Sequence, residues 1–416
     1  MIERRWLRTA RLCLWVCLWL GLGGSLWGCG AETHCGEFPL DEERRLCVVE
    51  TVDQMVVETF PFAEYKGVDL KEFSRELRMT LEGETPDVAF LEEVAAVVSR
   101  LRDGHTRVER RTLEEPGVAP VRVEVEEGPR GDRLVVVGAD EGFQEWIGAA
   151  VVAVDGEPVS EAVERHRGWV EAGRDGEVAL SGPTLLLAGE AGTEVVLSLE
   201  GGGEVVLTRR RALQPPASSR VGKGGQIGVL KLETFGHIDD LERIDEILND
   251  LMDTRGLIID LRGNGGGYPS VTDGLFGRLI DRPVPPFELV DRYGKLYRQL
   301  EAPPRGETYE GHVVVLVDRR SYSASNYLAH RIAYYHRGVL VGQPTGGGAA
   351  SPNRGVMLVP GVWFQVSTYV LRTPTGDHSE SGLMPGILVP APTAKEQYAG
   401  EDRTLQRAIE YLEALR

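Results

Sequence analysis

The sequence predicts an α/β protein whose C-terminal half forms a mainly parallel sheet covered by helices. From Ile227 onward, short apolar runs alternate with amphipathic helical patterns, which is typical of parallel strands joined by helices. The run Val313–Val317 has no polar break, as expected of a strand buried on both faces. Helical patterns fill residues 38–112 and period-two patterns begin near Val118. A helical domain and a β domain are therefore predicted to precede the core.

The first residues have the composition of an export signal. A basic start and a short apolar core are followed by a cleavage region, and the segments are Arg4–Arg11, Leu12–Leu20 and Leu26–Cys29. This order predicts a signal peptide over residues 1–28. Cys29 stands where bacterial lipoproteins carry their lipid, although Trp27 is bulkier than the usual residue there. We expect an exported lipoprotein, periplasmic or in the outer membrane of a Gram-negative-type bacterium, with plain export as the alternative.

The cysteine positions agree with export. All five lie within the first 47 residues, and Cys13 and Cys17 leave with the signal. Apart from Cys29, this leaves Cys35 and Cys47, which could form a disulfide in an oxidising compartment. The alternative is a pair of free surface thiols.

The charge excludes one class of partner. Residues 1–28 carry four arginines and one glutamate, so their removal changes the formal net charge from −18 to −21. So acidic a surface repels phosphate backbones, and we expect no nucleic-acid partner. No further apolar stretch reaches membrane-spanning length, and no pair of histidines has metal-ligand spacing.

Residues 29–115 are predicted to form the helical domain. The first helix is expected over Asp41–Phe60, and two further helical patterns cover residues 70–83 and 90–105. The predicted apolar face of the first helix contains Leu46, Val49, Val56 and Phe60. The domain ends near the segment Asp103–Thr106.

Residues 116–212 are predicted to form the β domain. Glycine-rich breaks separate the strand patterns VRVEVEEGP, RLVVVGAD and VVAVDGEPV, and EVVLSLEGGGEVVLTRR has the pattern of a closing hairpin. The stretch Ala149–Val159 resembles the strand and turn of PDZ-like domains. Such a domain could hold an extended peptide against a strand edge, or it could be a spacer without a ligand. Residues 213–225 are expected to be a linker.

Residues 226–416 are predicted to form the core. IGVLKLETF, GLIID, GVLVGQPT and VWFQVSTYVLRT are each expected to form a strand. DDLERIDEILNDLMDT is expected to be a helix, and EDRTLQRAIEYLEALR a final helix. The parallel arrangement would bring the carboxyl ends of several strands to one edge, where polar loops follow.

Three serines follow the strand Val313–Val317. A helix is predicted to begin near Ala324, so Ser321, Ser323 and Ser325 compete for a place at the carboxyl edge of the sheet. A strand, a tight turn, a serine and a helix together form the geometry that exposes a nucleophilic hydroxyl. The alternative is that one serine caps the helix.

The glycine-rich turn Asp260–Gly267, DLRGNGGG, follows another predicted strand. It lacks the Gly-Lys-Ser/Thr ending of a phosphate loop, and the dinucleotide pattern G-x-G-x-x-G does not fit it. No cofactor is therefore predicted. Backbone N–H groups of the glycines could stabilise an oxyanion. The alternative, a tight turn from strand to helix, explains the glycines but not the arginine and the asparagine.

Six segments together resemble the tail-specific (C-terminal processing) peptidase family. They are PFAEYKGVDLKEF, RLRDGHT, DLRGNGGG, SYSASN, VGQPTGG and RTLQRAIEYL, so the resemblance spans nearly the whole chain after the signal. The resemblance implies a ClpP/crotonase-like core and a serine-type endopeptidase (EC 3.4.21.-).

The resemblance implies that Ser323 is the nucleophile. In the Ser/Lys branch of the family a lysine would stand at the position of Gly348, and no lysine lies between Lys295 and Lys395. Unless a distant lysine folds into the site, the Ser/Lys dyad is excluded, and the chain is more similar to the tricorn-core-like Ser/His branch. There the motif DGHT implies that His105 is the general base, a role that suits histidine because its pKa can lie near neutrality.

The family places a glutamate near the C-terminus to orient the histidine. Glu380 fits this position, with Asp377 as the alternative, and Gly386 stands where the family usually has an aspartate. His330 and His378 are rival bases, for which a solvated or helix-capping role is predicted.

The oxyanion is expected to be bound by the N–H of Ala324 with that of Gly265 or Gly266. The predicted function is cleavage of protein tails or unfolded segments that pass the β domain. The expected partners are polypeptide substrates and, through a lipid on Cys29, a membrane. The alternative is an inactive peptidase-fold lipoprotein that binds peptides or lipids.

Overall fold

The structure is a computed structural model of the chain. It describes residues 33–83, 85–110, 116–128, 131–140, 142–165, 186–211, 216–348, 353–392, 396, 399 and 401–415. The predicted signal over residues 1–28 and the predicted lipid site Cys29 lie outside the described residues. Within the described ranges, no helix is both long enough and apolar enough to cross a bilayer.

Acidic side chains cap the first two helices of the described chain. The Asp41 carboxylate accepts a hydrogen bond from the N–H of Arg44, and the Asp69 carboxylate accepts one from the N–H of Lys71. The described helices are α1 (Glu42–Thr59), α2 (Leu70–Met79), α3 (Asp87–Ser99), α4 (Val159–Arg165), α5 (Asp240–Leu251), α6 (Pro269–Gly277), α7 (Ala324–Tyr334) and α8 (Arg403–Ala414).

The strands of the described residues form five sheets. In chain order they are β1 (Arg107–Arg110), β2 (Pro116–Val118), β3 (Val121–Gly128), β4 (Gly131–Ala139), β5 (Ala150–Val154), β6 (Glu157–Pro158), β7 (Gly189–Glu190), β8 (Glu194–Leu199), β9 (Glu204–Thr208), β10 (Arg210–Arg211), β11 (Ala217–Val221), β12 (Ile227–Lys231), β13 (Gly256–Asp260), β14 (Phe287–Val290), β15 (Leu296–Leu300), β16 (His312–Val317), β17 (Gly338–Gly342), β18 (Asn353–Val359), β19 (Val362–Ser367), β20 (Val370–Arg372) and β21 (Ile387–Leu388).

The first three helices pack on strands from the far end of the chain. Val52 of α1 and Phe90 of α3 belong to the same apolar cluster as Phe364 of β19. β19 also pairs with β1 and β18, so the segment after α3 is held against late strands. Cys35 and Cys47 form a disulfide that ties the preceding segment to α1. Leu46, which was predicted to lie on the apolar face, is 43% exposed because it lies on the outer side of α1.

The β region forms an antiparallel sheet in the order β3-β4-β5-β8-β9, with β6 paired to β5. Alternate side chains of these strands, such as Val121, Leu134 and Leu197, form its core. β10, β2 and β7 form a small separate sheet. The likeness of this region to PDZ-like domains stays a prediction.

The central sheet has the order β11-β12-β13-β16-β17-β21. Every neighbouring pair from β12 to β21 is parallel, and only β11 at the edge is antiparallel. The carboxyl ends of β13 and β16 are adjacent, because Asp260 pairs with Leu316. The loops that contain the predicted oxyanion glycines and the predicted nucleophile therefore leave the sheet side by side.

Helices cover both faces of the central sheet. Ile259 and Val315 point to the face covered by α5, α6 and α7, whereas Ile258 and Val314 point to the face covered by α8. Both faces are buried, which explains why these strands have unbroken apolar sequences.

Two predicted elements are corrected by the structure. The predicted linker 213–225 contains β11, which pairs with β12 as an exposed edge strand. Its small polar side chains give no alternating pattern, because they have no core to face. The strand predicted over VWFQVSTYVLRT is two strands, β19 and β20, in different sheets, since the chain turns at residues 368–369 to pair with β14. The other predicted domain limits stay predictions.

Candidate active site

Ser323 lies at the turn between β16 and α7 in a conformation that few residues adopt. Its φ is 56° and its ψ is −122°, and its side chain makes no capping hydrogen bond to α7. A non-glycine residue with positive φ stores strain and persists only where surrounding contacts hold it. Here the N–H of Ser323 donates to the carbonyl of Gly347 at 3.0 Å. The turn therefore presents the hydroxyl as a nucleophile elbow does, and the capping alternative is wrong.

The two neighbouring serines point elsewhere. The Ser321 hydroxyl donates to the carbonyl of Leu261 at 2.8 Å and accepts from the N–H of Asp318 at 3.0 Å. Ser325 is fully buried, and within the described ranges its hydroxyl has no hydrogen-bond partner. Neither hydroxyl contacts a histidine, so Ser323 alone of the three faces a base.

His105 is fixed by a turn whose residues bond to each other and to β19. The Asp103 carboxylate accepts from the N–H of His105 at 3.3 Å and from the hydroxyl of Thr106 at 2.5 Å. The Gln365 amide donates to the carbonyl of His105 at 2.9 Å, and the N–H of Ser367 donates to the Thr106 hydroxyl at 3.0 Å. The motif DGHT thus fixes the backbone on both sides of the imidazole.

The imidazole of His105 reaches the predicted nucleophile. Its Nε2 lies 2.8 Å from Oγ of Ser323, although 218 positions separate the two residues in the sequence. This distance is within the range for a general base and the hydroxyl that it deprotonates.

Burial dominates the electrostatics of His105, which is 8% exposed. Desolvation is the largest cause that lowers the pKa of the imidazole, Asp103 opposes it, and Arg107 and Lys66 add to it, so that the pKa lies at about 4. The imidazole is therefore neutral at neutral pH. In that state one ring nitrogen has a lone pair that can accept a proton.

The partner of the other ring nitrogen is Tyr322. Its hydroxyl lies 3.2 Å from Nδ1 of His105, and the two rings stack with centroids 4.9 Å apart and planes at 30°. A role for Tyr322 was not predicted from the sequence. The only signal available was an aromatic side chain directly before the nucleophile, which is usually a packing feature.

Glu380 binds a different partner from the one predicted. It is 1% exposed, and its Oε1 lies 2.9 Å from Nζ of Lys66. Glu380 was predicted to hold the imidazole, but Tyr322 takes that position. The alternative, Asp377, accepts from the hydroxyl of Thr375 in a separate turn.

Lys66 is the second residue near the site that was not predicted from the sequence. Its ammonium also donates to the carbonyl of Arg102 at 2.5 Å, and it lies 5.4 Å from the ring centroid of Phe62. Lys66 comes from the segment between α1 and α2, far in the sequence from Gly348, where the Ser/Lys branch has its lysine. Because the Lys66 ammonium is paired with the buried Glu380 carboxylate, Lys66 does not have the free amine that a general base requires.

The predicted oxyanion donors separate into two kinds. The N–H of Gly266 donates to Oδ1 of Asn264 at 2.8 Å, so the prediction that it binds an oxyanion is corrected. In the described part of the chain, the N–H of Gly265 has no hydrogen-bond partner. Ala324 is the first residue of α7, where helix N–H groups have no intrahelical acceptor. Ala324 and Gly265 therefore remain the candidate pair.

Gly266 has a spatial role. A Cβ atom at this position would lie 2.7 Å from Cβ of Ser323 and 2.9 Å from the N–H nitrogen of Ala324. Only glycine lets the loop approach the nucleophile this closely.

The arginine and the asparagine of DLRGNGGG shape this loop. The Asn264 amide donates to the carbonyl of Leu232 at 2.9 Å. The Arg262 guanidinium forms paired hydrogen bonds with the carboxylates of both Asp260 and Asp402, all at 2.7–2.8 Å. These contacts tie the loop to β12 and to the start of α8, which explains both residues without a role in binding substrate.

The rival histidines make no contact with the three serines. His330 packs edge-on against Phe287 with ring centroids 5.3 Å apart, and burial lowers the pKa of His330 to about 4. The prediction of a solvated role for His330 is therefore wrong. His378 contacts the ring of Tyr65, and its Nδ1 accepts from the N–H of Glu380 at 3.4 Å. Within the described ranges, one cluster of metal-ligand type exists, His34 with Cys35 and Cys47, and its thiols are bonded to each other.

Residues 226–389 match the family model described as peptidase family S41. Over 173 residues the chain is 32% identical to the tail-specific protease of Haemophilus influenzae, an alignment of 39% of this chain and 24% of that protein. Over 231 residues it is 26% identical to the carboxy-terminal processing protease CtpB of Bacillus subtilis, covering 53% of this chain and 46% of that one. The chain thus spans about a quarter and about half of the lengths of these relatives.

Solved structures show the same fold. Mature CPAF aligns with a TM-score of 0.61 and 17% identity over 89% of this chain and 95% of that one. The photosystem II D1 C-terminal processing protease aligns with a TM-score of 0.57 and 20% identity, over 84% and 94% respectively. The predicted resemblance to tail-specific peptidases and the coarse prediction of a peptidase fold are confirmed.

Proposed function

We propose that this protein, with its family S41 core, is a serine endopeptidase in which Ser323 is the nucleophile and His105 the general base. The observation that carries the proposal is the 2.8 Å contact between Nε2 of His105 and Oγ of Ser323. The neutral imidazole and the strained serine turn support it, because each prepares one partner for proton transfer.

The reaction would proceed in two halves. Oγ of Ser323 attacks the peptide carbonyl carbon while its proton passes to Nε2 of His105. The oxyanion that forms accepts hydrogen bonds from the N–H groups of Ala324 and Gly265. The imidazolium then gives the same proton to the leaving amine. Water hydrolyses the acyl-enzyme with His105 again as base, and the serine hydroxyl is restored.

The proposed substrates are polypeptide tails or unfolded segments. A chain must be extended to enter a site that lies between backbone loops, and the antiparallel β region offers edge strands that could hold such a segment. The two curated relatives are named for acting on protein tails or carboxy-termini, which supports this substrate class.

The second candidate is an inactive peptidase-fold protein that binds peptides or lipids. An inactive protein of this kind would need no general base next to Ser323. The contact of His105 with Ser323 favours the enzyme, since a binding protein gains nothing from a buried imidazole aligned on a strained hydroxyl.

Labelling with a fluorophosphonate probe tests the proposed function. The probe forms a covalent bond only with an activated serine, so we expect labelling of the wild-type protein and none of Ser323→Ala. Ser325→Ala is the matched control, because its buried hydroxyl has no hydrogen-bond partner in the described structure, and it should label like wild type. Absence of labelling in folded wild-type protein would favour the binding protein.

Export and lipidation at Cys29 complete the proposal. The basic, apolar and cleavage regions of residues 1–28 support it, as does the Cys35–Cys47 disulfide, which suits an oxidising compartment. Metabolic labelling with palmitate in a Gram-negative host should mark the wild-type protein and not Cys29→Ser. Absence of label from both proteins, with both recovered in the soluble fraction, would leave plain export in its place.

A further inference from the structure

Tyr322 connects the nucleophile to the base. It precedes Ser323 in the chain, and its hydroxyl lies 3.2 Å from Nδ1 of His105 on the far side of the ring from the serine. The backbone N–H of Tyr322 donates to the carbonyl of Asn264 at 3.0 Å, which links Tyr322 to the glycine-rich turn Asp260–Gly267. One short turn therefore supplies both the hydroxyl that is deprotonated and the hydroxyl that contacts the base.

We propose that Tyr322 is the positioning residue of this site: its hydroxyl oxygen accepts a hydrogen bond from Nδ1–H of His105 and so fixes the tautomer that activates Ser323. This inference rests on the proposed function. In this proposal the neutral phenol of Tyr322 occupies the position that was predicted for the carboxylate of Glu380.

The space for the Tyr322 ring exists only because residue 348 is glycine. A Cβ atom on Gly348 would lie 2.2 Å from two carbons of the ring and 2.5 Å from its hydroxyl oxygen. The N–H of Gly348 donates to the carbonyl of Glu380 at 3.0 Å, so the glycine segment cannot simply move away. Any side chain at position 348, including a lysine, would therefore collide with the Tyr322 ring in its present position.

The tautomer decides whether His105 can act. If Nδ1 carries the proton and donates it to Tyr322, Nε2 has a lone pair and accepts the proton of Ser323. If instead the phenol donates to Nδ1, Nε2 carries the proton and cannot act as a base. Stacking of the two rings, with planes at 30°, restricts rotation of the imidazole and keeps Nε2 directed at the serine.

The charges around the imidazole are consistent with a neutral partner. Asp103 from its own turn, Arg107 from β1 and Lys66 from the segment before α2 act on it, and the two cations together with burial lower its pKa to about 4. The nearby carboxylate of Glu380 is paired with Lys66. A phenol oxygen that accepts a hydrogen bond from Nδ1–H stabilises the imidazolium without adding a full charge to the site.

Tyr322→Phe tests the inference, with Tyr334→Phe on α7 as the matched control. Phenylalanine keeps the ring over Gly348 and the stacking, and removes only the hydroxyl. With a peptide substrate we expect kcat to fall on the order of 10- to 100-fold, less than the ~10²- to 10⁴-fold that general-base catalysis contributes in total. KM should stay within about twofold of wild type, because Tyr322 acts through the base and not through substrate binding.

The tautomer itself is measured by nitrogen NMR of the histidine-labelled protein, in which the signals of His105 are identified by their loss in His105→Gln. We expect Nδ1 to be protonated in wild type and in Tyr334→Phe, and a mixture of tautomers in Tyr322→Phe. The acid limb of kcat/KM should also move to lower pH by about one unit, because the imidazolium loses a hydrogen-bond acceptor.

Two results would overturn the inference: a proton on Nε2 in the resting wild-type protein, or equal kcat values for the two phenylalanine variants. The measurement of the tautomer does not depend on turnover. If wild type neither cleaves peptides nor reacts with the fluorophosphonate, the proposed function fails, and the NMR result still decides whether Tyr322 fixes the imidazole.

Discussion

The two sides of the His105 imidazole are built in different ways. On the Nε2 side, each contact comes from a short sequence motif, with His105 in DGHT and Ser323 in SYSAS. On the Nδ1 side, Tyr322 meets the ring through a gap that Gly348 leaves, and Glu380 pairs with Lys66. The residues on the Nε2 side can therefore be identified from local sequence motifs. The contacts on the Nδ1 side depend on which distant segments of the chain pack together.

The largest expected effect is on the Nε2 side. Ser323→Ala and His105→Ala should each lower kcat by about 10⁴- to 10⁶-fold, because each removes a group that takes part in every turnover. The double variant should lose little more than either single variant, since the two groups act as one unit. Peptide cleavage under single-turnover conditions measures this, and effects that simply multiply would contradict a shared role.

The buried ion pair on the Nδ1 side should matter more for stability than for chemistry. Lys66→Met leaves the Glu380 carboxylate buried without its cation, so the free energy of unfolding should fall by about 3–5 kcal/mol. Arg100→Met, which breaks an exposed pair with Glu76, is the control and should cost no more than about 1 kcal/mol. Denaturant titration distinguishes them. Equal small losses would show that the Lys66–Glu380 pair is not formed in solution.

One chemical change made on each side gives a direct comparison. Gly266→Ala adds a methyl group 2.7 Å from Cβ of Ser323, so kcat should fall by about 10²- to 10³-fold as the nucleophile and the oxyanion donors are displaced. Gly348→Ala pushes on the Tyr322 ring and should cost about 10- to 100-fold. Gly83→Ala, whose Cβ would meet only a methyl group at 3.4 Å, is the control. A greater loss at Gly348 would reverse the proposed order of the two sides.

The pH dependence should show the smallest but most diagnostic effect. Because the pKa of His105 lies at about 4 in the folded protein, below its ordinary value of 6.5, the active neutral form persists down to that pH. kcat/KM should therefore be flat from neutral pH to about pH 5 and fall through about pH 4. An acid limb near pH 6.5 would mean that water reaches the imidazole. Lys66→Met should move the limb upward, since Lys66 lowers this pKa.

The same shifts set the pH dependence of folding. His105 and His330 are both buried with a folded-state pKa of about 4, so the unfolded chain binds more protons than the folded one below about pH 6.5. Stability should fall progressively from pH 6.5 toward pH 4. Unfolding must therefore be followed at each pH, so that a loss of activity by protonation is separated from a loss of folded protein.

The sequence was sufficient where a function depends on adjacent residues. The strand and turn before Ser323 and the glycine-rich turn Asp260–Gly267 were predicted from local patterns, and the roles of Ser323 and His105 from the resemblance to the peptidase family. Gly266 was placed correctly beside the site but with the wrong role, because its N–H is bonded to Asn264.

The sequence was insufficient where long-range contacts decide. Lys66 comes close to Glu380 only because the helical segment packs on late strands, and no spacing in the chain indicates that meeting. β11 was missed since an exposed edge strand has no alternating apolar pattern. Tyr322 was overlooked because its role depends on the missing side chain of Gly348, which lies 26 positions further along the chain.

A crystal structure of the fluorophosphonate adduct tests the central claim most directly. The account predicts a covalent bond to Oγ of Ser323, the phosphoryl oxygen within hydrogen-bond distance of the N–H groups of Ala324 and Gly265, and Nε2 of His105 facing the adduct. An adduct on another serine, or an imidazole turned away from Ser323, would contradict it.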